Sequence, residues 1–317
     1  MNGVSAPRPP LILAFDVGGS HLSAGLCNTN ALQLASFAST PLSGDCSFEA
    51  FVDLLYHLGC QVAGQLDNVA GAALAFPGPF DFTAGVSRMR HKFKSLYGLD
   101  LRSALAKRFG WAPGQFRFLN DAGAFLLGEV GAGAARGASR AVGIVLGTGI
   151  GSAFVRNGRW VTNGEYVPPG GEIWNLPYGA GIVEDLLSTR ALKREYARRT
   201  GKNADVVTIA GAAATEQEAR IVFEAFGTNL GKVIHDVLVP FSPEIVVVGG
   251  GISRSAHLFL PFAQDQLNSY GFRLVTSSLL DEAPLVGAAV YWRDGNDTNL
   301  EMTLHEPDRS NSLKDAT

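Results

Sequence analysis

The sequence predicts an α/β protein in two halves, and three observations predict it. Strand-length apolar segments alternate with helix-length amphipathic ones along the chain. A glycine-rich hairpin occurs as Asp16-Val17-Gly18-Gly19-Ser20 and again, altered, as Leu146-Gly147-Thr148-Gly149-Ile150-Gly151-Ser152. A third glycine turn, Gly249-Gly250-Gly251, ends the strand-like run Ile245-Val246-Val247-Val248. The 317 residues, 46% of them hydrophobic, supply core for two domains of ordinary size.

Each hairpin has an apolar segment on either side: Leu11 to Phe15 and Leu22 to Leu26 around the first, the second leading into Ala153 to Val155. Glycine lets backbone N–H groups approach an anion with no Cβ in the way, so two such turns facing each other could grip the phosphates of one nucleotide. Taken singly, either turn is as well read as a tight hairpin; two of them plus the third turn favour the phosphate reading.

The elements follow in order. Leu11 to Phe15, Leu22 to Cys27 and Leu32 to Ala38 read as strands. A helix from about Phe48 to Leu66 is capped by Ser47, with Phe48, Phe51, Val52, Leu55, Leu58 and Val62 at helical spacing. Val69 to Ala75 is a buried strand, broken by Pro77-Gly78-Pro79. Leu101 to Phe109 is a helix capped by Asp100 and ended by Gly110, and Phe116 to Leu119 is a strand running into a helix at Asn120-Asp121. The second half repeats the scheme with strands at Ala141 to Leu146, Gly151 to Arg156 and Arg159 to Thr162. A helix at Thr215 to Val239 opens on the capping box Thr215-Glu216-Gln217-Glu218. From Asp294 the chain is polar and aperiodic, which reads as a disordered tail.

Several classes are excluded. No Gly-Lys-Ser or Gly-Lys-Thr occurs, so there is no P-loop, and Arg254 stands where a dinucleotide fingerprint needs its last glycine. A formal net charge of -3 attracts neither nucleic acid nor membrane over the whole surface. Cys27, Cys46 and Cys60 form no C-x-x-C pair, which speaks against a disulfide framework or cysteine metal site and for a reduced cytoplasm. Met1 to Pro10 is proline-rich, Asp16 interrupts the apolar run that follows, and no stretch nears the roughly 18 to 20 apolar residues of a membrane span.

From Leu11 to Trp292 the chain resembles the ROK family of sugar kinases. The resemblance rests on Asp16 to Ser20, on Phe76-Pro77-Gly78-Pro79-Phe80-Asp81, and on Asn120-Asp121-Ala122-Gly123-Ala124 with Gly128-Glu129. Gly147 to Gly151, Gly171-Glu172-Ile173 and Val248 to Ile252 complete it. Each motif is weak alone; together, in the family's order, they are specific. The resemblance implies the actin-like, hexokinase-like (ribonuclease H-like) α/β fold of two domains around a central cleft. The expected division is a small domain at 11–119, a large domain at 120–283 and a C-terminal helix at about 284–293 packing back on the first.

By the same resemblance, Asp121 is the catalytic base and Asn120 a sugar ligand. Phosphoryl transfer asks mainly for positioning and charge neutralisation, with a base receiving the hydroxyl proton late, so a carboxylate suffices. The plainer reading of Asp121 is a helix cap. Asp16 matches the residue holding magnesium through water, against the plainer reading of a turn-forming aspartate. The nucleotide contacts expected are Asp16, Gly18, Gly19, Ser20, Gly147, Thr148, Gly149, Gly249, Gly250 and Gly251. Sugar contacts are expected from Gly78, Asp81, Asn120, Asp121, Glu172, Asn175 and Glu184. Two departures from the family pattern stand out. Asn175 replaces the histidine of Gly-Glu-Ile-Gly-His, and the zinc-loop cysteines are missing, so no zinc is expected and glucose specificity is in doubt.

The basic run Arg88-Met89-Arg90-His91-Lys92-Phe93-Lys94 reads as a solvated loop edge, with an anion site for an acidic sugar or inorganic polyphosphate as the alternative. The favoured function is an ATP- and magnesium-dependent kinase of a hexose or hexosamine primary hydroxyl, cytoplasmic and homodimeric, without nucleic-acid or membrane partners. A sugar-sensing regulator of the same family would carry an amino-terminal helix-turn-helix domain, yet the kinase-like strand begins at Leu11. Glu172 and Glu184 argue against a chaperone or filament protein of the broader fold.

Overall fold

The computed structural model describes residues 11–90 and 92–295. Its first half runs β1 (Leu11–Val17), β2 (His21–Asn28), β3 (Gln33–Pro41), α1 (Phe48–Ala63), β4 (Val69–Phe76), the short pair β5 (Phe80–Asp81) and β6 (Val86–Ser87), α2 (Leu101–Phe109) and β7 (Phe116–Asn120). Helix α3 (Asp121–Gly131) leads to β8 (Arg140–Leu146), β9 (Ile150–Arg156), β10 (Arg159–Val161), the two-residue strands β11 (Pro177–Tyr178) and β12 (Gly181–Ile182), and helices α4 (Thr189–Thr200), α5 (Val206–Ala212) and α6 (Gln217–Val233). Strand β13 (Ile245–Gly249), α7 (Leu260–Asp265), β14 (Arg273–Thr276) and α8 (Ala283–Asp294) follow.

Two five-stranded sheets share one topology, β3-β2-β1-β4-β7 and β10-β9-β8-β13-β14. In each, an antiparallel meander occupies one side and parallel strands the other. The glycine segments are hairpin turns, with β1 antiparallel to β2 and β8 to β9.

Helices α3 and α8 lie between the sheets, which is why both are apolar on nearly every face. One core cluster joins them to Ile12, Ala14, Ala73 and Ala75 of the first sheet and to Ala141, Ala153, Ile245 and Val247 of the second. Helices α1 and α2 cover the outer face of the first sheet, and α4, α5 and α6 that of the second. Glycines let α3 and α8 touch backbone to backbone: a methyl group on Gly287 would collide with the Ala124 carbonyl, and one on Gly128 with that of Ala283. Beside this crossing the buried Glu129 carboxylate accepts from Ala134 N at 2.7 Å, Leu279 N at 3.1 Å and Ser277 Oγ at 2.5 Å, so it ties the end of α3 to the segment entering α8.

The expected caps form: Ser47 Oγ accepts from Ala50 N at 3.1 Å and Asp100 Oδ1 from Ser103 N at 2.9 Å, while Gly110 ends α2 in the left-handed region at φ 70°. The first helix stops at Ala63, short of Leu66, because Gly64 breaks it. The capping box at Thr215 does not form. Helix α6 starts at Gln217 with Glu216 in the N-cap position, and Glu218, the carboxylate of the expected box, bonds Arg199 at 3.1 Å instead, while Glu216 accepts from Tyr196 Oη at 2.9 Å. It also stops short of Val239, giving way to a wider turn over Ile234–Leu238. The expected disordered tail begins inside the ordered chain, since Asp294 ends α8 and Gly295 caps it; its remainder, 296–317, and the proline-rich Met1 to Pro10 lie outside the described residues.

Gly287→Ala is expected to lower the denaturation midpoint at a cost of about 1–3 kcal/mol, the usual penalty of overpacking. Gly211→Ala, on an exposed turn of α5 where a methyl group meets nothing within 4 Å, should leave stability unchanged or raise it. Chemical denaturation of the two variants side by side checks both.

Candidate active site

The parallel strands β1, β4 and β7 end together. Asp16 lies beside Ala75 in register, and Phe76 beside Asn120, so the carboxyl ends of three strands present Asp16, the Pro77-Gly78 turn and Asn120-Asp121 side by side. Ligand sites of open α/β sheets form at such strand ends. Asn120 caps α3, its Oδ1 accepting from Gly123 N at 3.1 Å, which leaves its amide N–H groups to donate outward. Asp121 Oδ1 accepts from Ala122 N at 2.8 Å. Among the described residues no donor is bonded to Asp121 Oδ2.

Burial pushes the Asp121 carboxyl up to about 6; the Ala122 N–H and the Lys92 ammonium pull against this, and the Glu172 carboxylate adds to it. Burial, with the charges of Asp121 and Asp281, pushes Asp16 up to about 7. Among the described residues nothing donates a hydrogen bond to the Asp16 carboxylate and no cation pairs with it. A half-buried carboxylate facing other carboxylates suits a hard cation, and no cluster of three or more His, Cys, Asp or Glu among the described residues would hold a metal alone. Such a donor set fits magnesium, which commonly takes one or two carboxylates and completes its shell with phosphate oxygens and water.

Glu172 is brought to this site from the second half. Ser152 on β9, itself buried, donates to Gly171 O at 2.6 Å and accepts from Ile173 N at 3.1 Å, clamping both neighbours of Glu172. The carboxylate accepts from Trp174 Nε1 at 2.9 Å, and a methyl group on Gly78 would stand 3.6 Å from its Oε1. Glu184 lies 3.7 Å from Arg190 and fills the space above Gly149. Asp81 is held within its own loop, accepting from Ala84 N at 2.9 Å and lying 3.7 Å from Arg88. Asn175 is exposed beside Trp174.

The glycines divide into two kinds. Gly147 and Gly251 have open space where a Cβ would be, and Thr148 is exposed. Gly249 and Gly250 are glycine for packing, since a Cβ would strike the Phe125 ring at the one and the Leu146 backbone at the other, where φ is also +81°. In the first turn Gly18 N donates to His21 O at 2.9 Å, Ser20 Oγ bonds His21 Nδ1 at 3.0 Å, and Gly19 faces Lys92.

Sequence reasoning missed how the basic run is dealt out. His91 lies outside the described residues. Arg88 turns to Asp81, Arg90 donates to Tyr97 Oη at 2.7 Å, Lys94 is exposed, and Lys92, half-buried, points to Gly19. The run is therefore not a solvated edge throughout. Its signal was the buried pair Met89 and Phe93 interleaved with the charges, which forces the loop inward. Asp281, paired with Arg254 at 2.6 Å and acting on Asp16, carried no motif.

The class so defined is an α/β protein of hexokinase-like fold, with its carboxylates gathered at the strand ends between two like sheets. Comparison with known proteins agrees. The ROK family model matches residues 12–295, and the chain belongs to that family. A glucokinase of Thermotoga maritima is 30% identical over 312 residues, covering 88% of this chain and 96% of that one. Two solved structures share the fold. A ROK family glucokinase from Streptomyces griseus, in complex with glucose and AMPPNP, has a TM-score of 0.75 at 21% identity, covering 90% of this chain and 100% of its own. A ROK hexokinase from Thermus thermophilus has a TM-score of 0.73 at 24% identity, with the same coverage.

Asp16 carries a pH prediction. Its folded value near 7 exceeds the unfolded 3.8, so the stability it contributes is full below about 3.8 and is lost as pH rises through 7. Asp16→Asn should therefore melt higher than the parent at pH 8 without ligand, by at least ~3 °C given about 2–4 °C per kcal/mol. The gap should close toward pH 4. Thermal melts across that range check it.

Proposed function

We propose that the chain is an ATP-dependent kinase that moves the γ-phosphoryl group of ATP to a primary hydroxyl of a hexose or hexosamine. Membership of the ROK family and the glucokinase relative support the class, sugar kinase. The observation that carries the mechanism is Asp121, whose pKa near 6 lies close to working pH and whose Oδ2 is free of donors among the described residues. The sugar hydroxyl binds at Oδ2. Its oxygen attacks the γ-phosphorus as the bond to the β-phosphate oxygen breaks, Asp121 takes the proton, and ADP leaves.

Magnesium, held at Asp16 partly through water, would neutralise charge on the phosphates. In this reading the turns at Gly18-Gly19-Ser20, Gly147-Thr148-Gly149 and Gly251 line the nucleotide, the Gly18 and Gly147 N–H groups being already held by His21 O and Gly149 O, and Gly249 and Gly250 shape the third turn. Sugar hydroxyls bond to Glu172, Glu184, the Asn120 amide and the Gly78-to-Asp81 loop, with Asn175 at the rim. Because these residues come from both halves, closure on the sugar expels water that would otherwise accept the phosphoryl group, so ATP hydrolysis should be slow until sugar binds.

Coupled ADP release over a panel of glucose, mannose, N-acetylglucosamine and N-acetylmannosamine tests the reading. Turnover should depend on at least one of them and on magnesium, and kcat/KM should fall below about pH 6 as Asp121 takes its proton. Asp121→Asn should cut kcat by at least ~100-fold while leaving nucleotide affinity intact. Near-parental turnover by the folded variant would remove Asp121 as base. Ser152→Ala should raise the sugar KM severalfold with a smaller effect on kcat, since it frees Glu172 without touching the phosphate side.

A further inference from the structure

We propose that Lys92 is a catalytic residue of this kinase whose ammonium contacts the transferred phosphoryl group, between the Gly18-Gly19 turn and Asp121. The inference rests on the kinase reading above and adds a residue to it.

The loop is built to deliver this side chain. Met89 and Phe93 are buried, and the Phe93 ring packs 6.0 Å from that of Phe51 and 6.5 Å from that of Phe76. Phe93 holds φ 46° and ψ 49°, the left-handed region that a bulky residue adopts only when its surroundings force it. Arg88 and Arg90 are engaged inside the loop, Arg88 by Asp81 at 3.7 Å and Arg90 by Tyr97, its guanidinium 4.7 Å from the ring centre. Lys94 faces solvent. Lys92 alone of the run's described cations is directed inward: a methyl group on Gly19 would stand 3.1 Å from its Nζ. Among the described residues it has neither an ion pair nor a hydrogen bond, although its charge reaches Asp121.

A half-buried ammonium with no anion, against a glycine turn and near the base, calls for an anion. The group that must lie between phosphate turn and acceptor hydroxyl is the terminal phosphoryl of the donor, whose equatorial oxygens carry the charge to be neutralised. Lysine serves there as a point charge; the hydroxyl proton goes to Asp121. With Arg88 and Arg90 spent on loop contacts and Lys94 facing solvent, the described run directs one cation inward, which suits the single terminal phosphate of a nucleoside triphosphate better than a long polyphosphate.

The test compares Lys92→Met and Lys92→Arg with the parent. Lys92→Met should lower kcat by at least ~100-fold, the lower range for losing one donor to developing charge. It should weaken binding of the β,γ-imido analogue of ATP about tenfold while leaving ADP and sugar dissociation constants within twofold. The acidic limb of its residual kcat profile should move to higher pH, since the ammonium no longer holds the Asp121 proton off. Lys92→Arg should recover at least a tenth of the activity.

Equal weakening of ADP and the imido analogue, loss of sugar affinity alone, or kcat within threefold of the parent would each overturn the proposal. If the parent phosphorylates no sugar, the kinase reading fails on its own. The ADP-against-triphosphate comparison then still decides whether Lys92 meets a terminal phosphate.

Discussion

The close crossing of α3 and α8 is the constraint on which the rest of the structure depends. Both helices are wedged between two sheets, and backbone can meet backbone there only because Gly128 and Gly287 lack side chains. Asn120 and Asp121 stand at the N-terminus of α3, so the position of the proposed base relative to both sheets is set by how deeply that helix seats. The Glu129 carboxylate fixes the other end of the same helix against the segment that feeds α8, and its buried charge is met by backbone and hydroxyl donors rather than by a cation. A helix pinned at one end by hydrogen bonds and along its length by packing has little freedom to slide, which is what a reacting group needs of its scaffold.

The site balances charge across that scaffold. Asp16 and Asp121 come from one sheet edge and Glu172 from the other half, with the Lys92 charge acting on Asp121, and each carboxylate differs in what already bonds it. Glu172 is held by an indole N–H and clamped at both flanks, Asp121 keeps one oxygen engaged with its own helix, and Asp16 is bare of donors among the described residues. In the proposed mechanism this difference divides the work: an oriented acceptor for hydroxyls, a base, and a ligand for a hard cation. Asp281, from a late turn between β14 and α8, raises Asp16 further.

Much of the architecture was legible because it rests on short-range chemistry. The glycine hairpins, the Ser47 and Asp100 caps, and the strand-to-helix junction at Asn120-Asp121 are each specified by residues within a few positions of one another. The ROK membership followed from the order of such local signals. What the sequence concealed came from distance. The Thr215 capping box lost to partners in α4 and its following loop, some 14 to 20 residues back, that Glu216 and Glu218 found instead. That Gly249 and Gly250 must also be glycine to clear Phe125 and Leu146 is visible only in the fold. The role of Ser152 as the clamp on Glu172 and the inward turn of Lys92 likewise depend on chain segments that meet only in the fold.

A bare carboxylate with a pKa near 7 has a thermodynamic consequence of its own. With that value, near neutrality a substantial fraction of the empty protein carries a proton on Asp16, on the oxygens that the proposed divalent cation would use. If Asp16 holds the metal as proposed, loading it with its nucleotide would be an exchange, cation in and proton out, whose heat varies with the ionisation enthalpy of the buffer. In that proposed mechanism acidification would compete directly with magnesium at this one group, so donor affinity, and not only turnover, would respond to the acidity of the surroundings.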